Sequence, residues 1–514
     1  MSNFSEIRNC FKEEMFKNKE GYKNIITALN CLDNSERNLY IDYSKSGPEI
    51  RQAIESFVYG VLKENGGYNK VVGKDGRTAQ LSDYIYYLRC SGYFKGVEVF
   101  YENTRGEKIQ KSTKDKKYPD RLDFLRLLAN TYSHSENNNK NAPKRSYKNV
   151  KLALEQFYGL FVELLGKYNI IADEKFSDEK IPIGDYITDE YKVPADKERS
   201  KCTAEIFAHS VDDRGNIQFY YIFRVYELKN VYEKHLNLLK RNITCFAKST
   251  SDEVDGTVKG TVPIQEITTI NPDNIVTDGH YIISYRFNKK PQVLGDDILQ
   301  KMSLDDRLRI SSKIAECLFR LQYNADEYKD VVTEIPVEEE KSSFKNLFGL
   351  IKKKNSAPEV ITTREYKLKE YPIYHRMLNH ESIYICDFDG KYMPYITKFD
   401  FAKIEGIGST VKKVVHDAKL IIEDSKLFKY LPFEWIMLES FDEDVNIDLA
   451  KVDIFSLGVL ISDILYGKIA RKVVPISELP DEVPDEIKTL LSKMCQEDPY
   501  ERPDILEVKK VFGF

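Results

Sequence analysis

The chain lacks any pair of cysteines at metal-binding or redox spacing. Its eight cysteines, at 10, 31, 90, 202, 245, 317, 386 and 495, stand singly, with no CxxC unit. That excludes the common zinc spacings and fits a reducing cytosol better than a disulfide framework. Long apolar runs are also missing. The most apolar stretch, 454–466, is interrupted by Ser456 and Asp463 and is too short to span a bilayer. The opening MSNFSEIRNCFKEEMFKNKE has no apolar segment of the kind a signal peptide needs. Nor is there an excess of charge: 77 Lys and Arg against 82 Asp and Glu leave a net −5, so no chain-wide attraction to nucleic acid or anionic lipid is implied. What remains, 42% hydrophobic and 31% charged residues over 514 positions, describes a globular chain of two to four domains, expected to be cytoplasmic and without a membrane partner.

Periodicity divides the chain. In residues 1–170, Gly47-Pro48-Glu49 opens a helix, with proline where an early turn tolerates it. Ala53, Ile54, Phe57, Val58, Val61 and Leu62 share one face of that helix, and Asn65-Gly66-Gly67 ends it. Further helices are expected over 121–133 and 148–165, the latter with Val150, Leu154, Phe157, Phe161 and Leu164 as its apolar stripe. Residues 171–190 are acidic and irregular, as in a linker. The runs 218–226 (QFYYIFRVY) and 280–287 (HYIISYRF) are aromatic and β-branched and predict strands. Helices return after 290, one over 303–321 with Ser303 as N-cap, and residues 323–370 have the mixed charge of an insertion.

The last third carries a specific pattern. DIFSLGVLISDILYG at 453–467 is followed by LSKMCQEDPYERP at 491–503 and preceded by Pro432-Phe433-Glu434. These segments resemble the central C-lobe helix, the closing LxxxMLxxDPxxRP signature and the Ala-Pro-Glu motif of protein kinases. The resemblance spans 191–514 and implies a bilobal fold, with an N-lobe over 191–287 and a C-lobe over 288–514. It implies that Glu434 pairs with Arg502, a strong bidentate tie. It also implies that Asp453 holds the backbone of the catalytic loop, with Gly458, His375 and Arg376 completing the framework.

The chemical positions are altered. His375-Arg376-Met377-Leu378-Asn379-His380-Glu381-Ser382 resembles HRDLKPEN, with Met377 at the catalytic aspartate and Ser382 at the metal-binding asparagine. A thioether accepts no proton, and a serine hydroxyl is a short, weak metal ligand. The metal-binding Asp-Phe-Gly segment is represented by Lys398-Phe399-Asp400, which substitutes a cation for the ligand, or in the rival register by Asp400-Phe401-Ala402, which keeps the aspartate. The first strands contain no glycine loop. The phosphate-contacting lysine becomes Arg224, with Glu233 as its helix partner. Nucleotide contacts are therefore expected from Arg224, Glu233 and Lys398. No cofactor is required, ATP is a candidate ligand, and Mg2+ would keep an aspartate ligand only in the Asp400 register.

Residues 47–166 resemble the HEPN-like helical domains found beside bacterial nucleases and defence proteins, through Arg51-x-Ala53-x-Glu55 and the segment 125–134. Arg126, Asn130 and His134 lie at four-residue spacing on one stripe of a helix. An arginine and a histidine there suit charge stabilisation and acid–base chemistry on RNA. A polar stripe that fixes helix packing is the stronger alternative. The sequence thus predicts a multidomain α and α+β protein, a helical bundle followed by a bilobal kinase-like fold. Its leading function is that of a catalytically impaired regulator or scaffold whose helical domain dimerises or binds a protein partner. An atypical kinase and a HEPN-type ribonuclease acting on RNA are the alternatives.

Overall fold

A computed structural model describes residues 2–73, 76–93, 99–111, 121–133, 143–144, 146–173, 175–194, 202–227, 264–266, 279–335, 359–405, 427–437 and 447–514. The chain divides into two compact units, Met1–Asn237 with Ile264–Lys289, and Leu238–Pro263 with Lys290–Phe514.

The first unit begins with helices α1 (Asn3–Cys10), α2 (Lys19–Asp42), α3 (Ser46–Glu64) and α4 (Leu81–Cys90). The ribbon β1 (Val99–Glu102) with β2 (Lys108–Lys111) follows, then α5 (Arg121–Ser133) and α6 (Tyr147–Gly166). Pro48 sits in the first turn of α3, and Gly66 ends the helix with φ +64°. Glycines let α2 and α3 approach closely: a Cβ on Gly60 would stand 3.0 Å from the Gly21 carbonyl oxygen. The apolar stripe of α6 is buried as its spacing predicts. The first turn of α1 is satisfied by another helix. Fully buried Glu36 on α2 accepts from the Asn3 and Phe4 backbone N–H groups, both at 3.2 Å, and from Asn3 Nδ2 at 2.6 Å.

Asn3 also ties the segment 171–190, expected as a linker, to the helices. Its amide donates to Ser177 O and accepts from Ser177 N, both at 2.9 Å, while Ile181 and Ile183 are buried. Two isoleucines set among charged residues carry no helical or strand period, so only the tertiary contact reveals them. Strand β3 (Ile187–Lys192) already begins within that segment. With β4 (Cys202–Val211), β5 (Ile217–Glu227), β6 (Ile264–Glu266) and β7 (His280–Phe287) it forms an antiparallel sheet of order β3-β4-β5-β7-β6. Ala204, Ile206, Ala208, Phe223, Val225 and Ile282 point from one face of this sheet into the core of the helices. Helices and sheet therefore share one apolar interior. At the joint, His280 lies edge-on to Tyr40 and Tyr147, with ring centroids 4.8 and 4.3 Å away.

The second unit contains β8 (Pro291–Val293), the short α7 (Asp296–Leu299) and α8 (Leu304–Gln322). Ser303 caps α8, with its hydroxyl accepting from Asp306 N at 3.1 Å. Residues read as an insertion form a long antiparallel ribbon, β9 (Tyr323–Ile335) with β10 (Glu359–Leu368). Next come β11 (Ile373–Tyr374), β12 (Ile383–Phe388), β13 (Lys391–Ile396) and β14 (Lys403–Ile404). The unit ends with α9 (Phe433–Ile436), α10 (Leu449–Tyr466), α11 (Asp485–Met494) and α12 (Ile505–Phe512). Every residue of α10 from 456 to 465 is buried, so this is a core helix surrounded by protein. Asp448 caps its start, and Gly467 ends it at φ +84°. Among the described residues no helix is long and apolar enough to cross a membrane. The protein is thus mixed α+β, with antiparallel sheets and an N-terminal helical region.

Candidate functional site

The site in the second unit is a loop and a returning segment bound together at both ends. β11 pairs with β14, so residues 375 and 402 leave the same short ribbon. β12 pairs with β13 through a turn at Asp389-Gly390, both with positive φ, and brings the chain back beside its starting point. Thr397 N then donates to Ser382 O at 2.8 Å. The segments 375–382 and 397–402 consequently run side by side.

Buried groups fix the loop. Asp453, wholly buried on α10, accepts from His375 N at 2.7 Å and Arg376 N at 2.6 Å. Burial pushes its carboxyl up to about 7, against the pull of those two N–H groups. His375 Nε2 donates to Thr397 O at 2.9 Å, and its ring lies 5.1 Å from that of Phe399. Arg376 is wholly buried. Its Nε donates to Phe401 O at 2.6 Å, its Nη2 to Ala402 O at 3.3 Å, and its guanidinium lies 5.3 Å from the Trp435 ring. Arg376 and Lys398 both adopt left-handed backbone, at φ +63° and +60°. Such conformations cost about 1–3 kcal/mol for ordinary residues and gather at functional sites.

The side chains of Met377 and Ser382 are turned to packing. Met377 is 6% exposed, inside an apolar cluster with Phe401, Leu431, Trp435 and Val452. Ser382 is buried. Its hydroxyl donates to Asn379 O at 2.6 Å and accepts from Asn379 N at 3.0 Å, closing its own turn. Asn379 Nδ2 donates to Met377 O at 2.7 Å. Lys398 Nζ stands 3.7 Å from the Glu381 carboxylate. Asp400 lies in the turn Phe399–Phe401, and its side chain is outside the described residues. Among the described residues no group of three His, Cys, Asp or Glu side chains is placed to hold a metal.

The pair expected between Glu434 and Arg502 is present and bidentate, at 2.5 and 3.1 Å. Gly458 is demanded by contact, since a Cβ there would stand 2.7 Å from Met494 Cβ and 3.0 Å from Cys495 Sγ.

No family model and no curated protein matches this chain.

The other candidate residues lie in the first unit. Arg224 on β5 is buried and stands 3.3 Å from Glu205, its cross-strand neighbour on β4. Its guanidinium therefore faces a carboxylate, while Glu233 lies outside the described residues. Arg126 on α5 reaches Asp123 at 3.5 Å, and the same buried carboxylate takes Arg89. Asn130 is half-buried on that helix, and His134 lies outside the described residues. Arg51 pairs with Glu55 along α3 at 3.4 Å.

The partners Trp435, Asn379, Thr397, Glu205 and Asp123 escaped the sequence reading. Asp123 carried a signal, the three-residue spacing to Arg126. Glu205 carried none, because strand register is not written locally.

Proposed function

We propose that this chain is a cytoplasmic kinase-like regulatory protein. It keeps a bilobal kinase frame, has lost the phosphoryl-transfer groups, and uses its helical region to dimerise or to hold a protein partner. The burial of Met377 carries the reading. A thioether packed between Trp435, Phe401 and Val452 is not a catalytic position with one atom changed, because the space for a solvated carboxylate is filled. Ser382 supports it, its hydroxyl being engaged on both sides by Asn379. The frame is supported by Asp453 on the backbone of His375 and Arg376, and by the Glu434–Arg502 fork.

The test is transfer of labelled phosphate from ATP, with Mg2+, to the chain itself and to a generic protein substrate. The expected result is no transfer above a protein-free blank. Transfer that disappears in Asp400→Asn would replace this reading with that of an atypical active kinase. Calorimetric titration with ATP, with and without Mg2+, decides the nucleotide-sensing part: binding without the metal is expected if Lys398 stands in for it, and no heat in either case removes nucleotide from the proposal.

A further inference from the structure

The ribbon β9–β10 carries the same three residues on both of its strands. Glu327-Tyr328-Lys329 lies on β9 and Glu365-Tyr366-Lys367 on β10. Within the chain the two triplets pair antiparallel. Tyr328 stands opposite Tyr366 and Lys329 opposite Glu365 in the register of the strands, and Lys367 Nζ reaches the Glu327 carboxylate at 3.0 Å. The two tyrosine rings lie 5.7 Å apart. A Glu-Tyr-Lys triplet is thus complementary to an antiparallel copy of itself: tyrosine meets tyrosine at the centre, and each glutamate meets a lysine.

That property extends beyond the ribbon. Among the described residues β9 and β10 form a sheet of two strands, so each has an outer edge whose alternate N–H and C=O groups point away from its neighbour. The edges differ. β9 is bowed, because its residues 324–327 stand against Lys367 alone. Pairing β9 with its own copy about Tyr328 would also set Asp326 against Asp330. β10 has neither fault. Centred on Tyr366, a second β10 sets Glu365 against Lys367 on both sides and Arg364 against Leu368, so no like charges are opposed. Arg364, Glu365, Lys367 and Leu368 are all exposed. The two triplets line a cavity of about 530 Å3, so the surface beside the strand is concave and can take the side chains of an added strand.

We infer that the outer edge of β10 is a self-association surface: a second copy of this chain adds its own β10 antiparallel, about a two-fold axis at Tyr366, and joins the two ribbons into one sheet. The backbone edge supplies the attraction, and the Glu-Tyr-Lys triplet fixes the register. The inference does not depend on the kinase-like reading, and it names a surface other than the helical region.

The experiment is molar mass by sedimentation and light scattering on the full chain at low ionic strength, over a range of concentrations, with Trp435 emission and circular dichroism as the check of folding. The wild type is expected to dimerise reversibly. Glu365→Lys leaves ammonium groups on both sides of Tyr366, and Lys367→Glu leaves carboxylates on both sides. Each variant alone is therefore expected to dimerise more weakly, by roughly tenfold or more. An equimolar mixture of the two variants opposes ammonium to carboxylate on both sides and is expected to recover the dimer. A wild type that stays monomeric, a dimer that neither substitution weakens, or a mixture that recovers nothing overturns the proposal. Should a variant fail to fold, zero-length carboxyl–amine cross-linking of mixed light and heavy-isotope wild-type chains decides. The Glu327–Lys367 pair within one chain is the internal control. An interchain bond between Glu365 and Lys367 is expected, and its absence overturns the inference.

Discussion

Replacing Arg502 by lysine removes geometry while keeping charge. All five guanidinium N–H groups are engaged: Nε with Gln496 O at 2.7 Å, Nη1 with Glu434 Oε1 at 2.5 Å and Lys451 O at 3.2 Å, and Nη2 with Glu434 Oε2 at 3.1 Å and Glu497 O at 2.9 Å. The plane also lies 5.0 Å from the Phe455 ring. An ammonium has three donors on one atom, so it leaves at least two of these acceptors unanswered in a site where the arginine is 2% exposed. Breaking a buried charge-assisted set costs about 3–5 kcal/mol, and the retained charge places Arg502→Lys at the lower end, about 3 kcal/mol. For a unit of this size that is roughly 6–12 °C in Tm. The reporter is built in. Trp435, the only tryptophan of the chain, is wholly buried next to Glu434, so its emission during urea unfolding follows the second unit alone. Glu434→Gln and the double variant complete a cycle, and a coupling energy of at least about 1 kcal/mol is expected for a buried pair. A lysine variant within about 0.5 kcal/mol of wild type would refute the reasoning, because the measured stability would then owe nothing to the fork.

Three other outcomes follow from the packing. Met377→Asp, which supplies the residue type that the resemblance would expect of an active kinase, is expected to lower the stability of the second unit by about 3 kcal/mol and to yield no phosphate transfer, since it buries a carboxylate among Trp435, Phe401 and Val452; urea unfolding and the transfer assay read both. Burial pushes Glu36 up to about 8 from an ordinary 4.5, so its contribution is fully present below the ordinary value and is lost as pH rises through about 8, on the order of 5 kcal/mol; helical circular dichroism in urea from pH 5 to 9 checks this, and Glu36→Gln should flatten the slope. Gly458→Ala is expected to cost about 1–3 kcal/mol by forcing α10 away from Met494 and Cys495, measured by Trp435 emission.

Local chemistry was legible where a residue's neighbours in sequence are also its neighbours in space. The Ser303 cap, the glycine end of α3, the stripe of α6 and the strands at 217–227 and 280–287 are of that kind. The fork between Glu434 and Arg502 was reached by resemblance, since 68 residues separate them. What failed to show were distances set by register and layering. In residues 171–190 the tie of Ser177 to Asn3, far away in the chain, and the burial of Ile181 and Ile183 left no local trace. Arg224 offered a free-looking cation because Glu205 becomes its neighbour only when β4 and β5 align. The resemblance set Met377 at the place of a catalytic aspartate, and nothing in the loop sequence announced that its side chain would be enclosed.

The shared interior of the first unit has a consequence for how the protein can change over time. Ala204, Ile206, Ala208, Phe223, Val225 and Ile282 are covered by helices rather than by a layer belonging to the sheet. A sheet severed at residue 170 or 190 would carry a bare apolar face and tend to associate nonspecifically. The helices and the strands are therefore not interchangeable parts. A lineage that exchanged its helical region would have to bring along a matching set of strand residues, and the two segments are expected to be inherited, lost and transferred together.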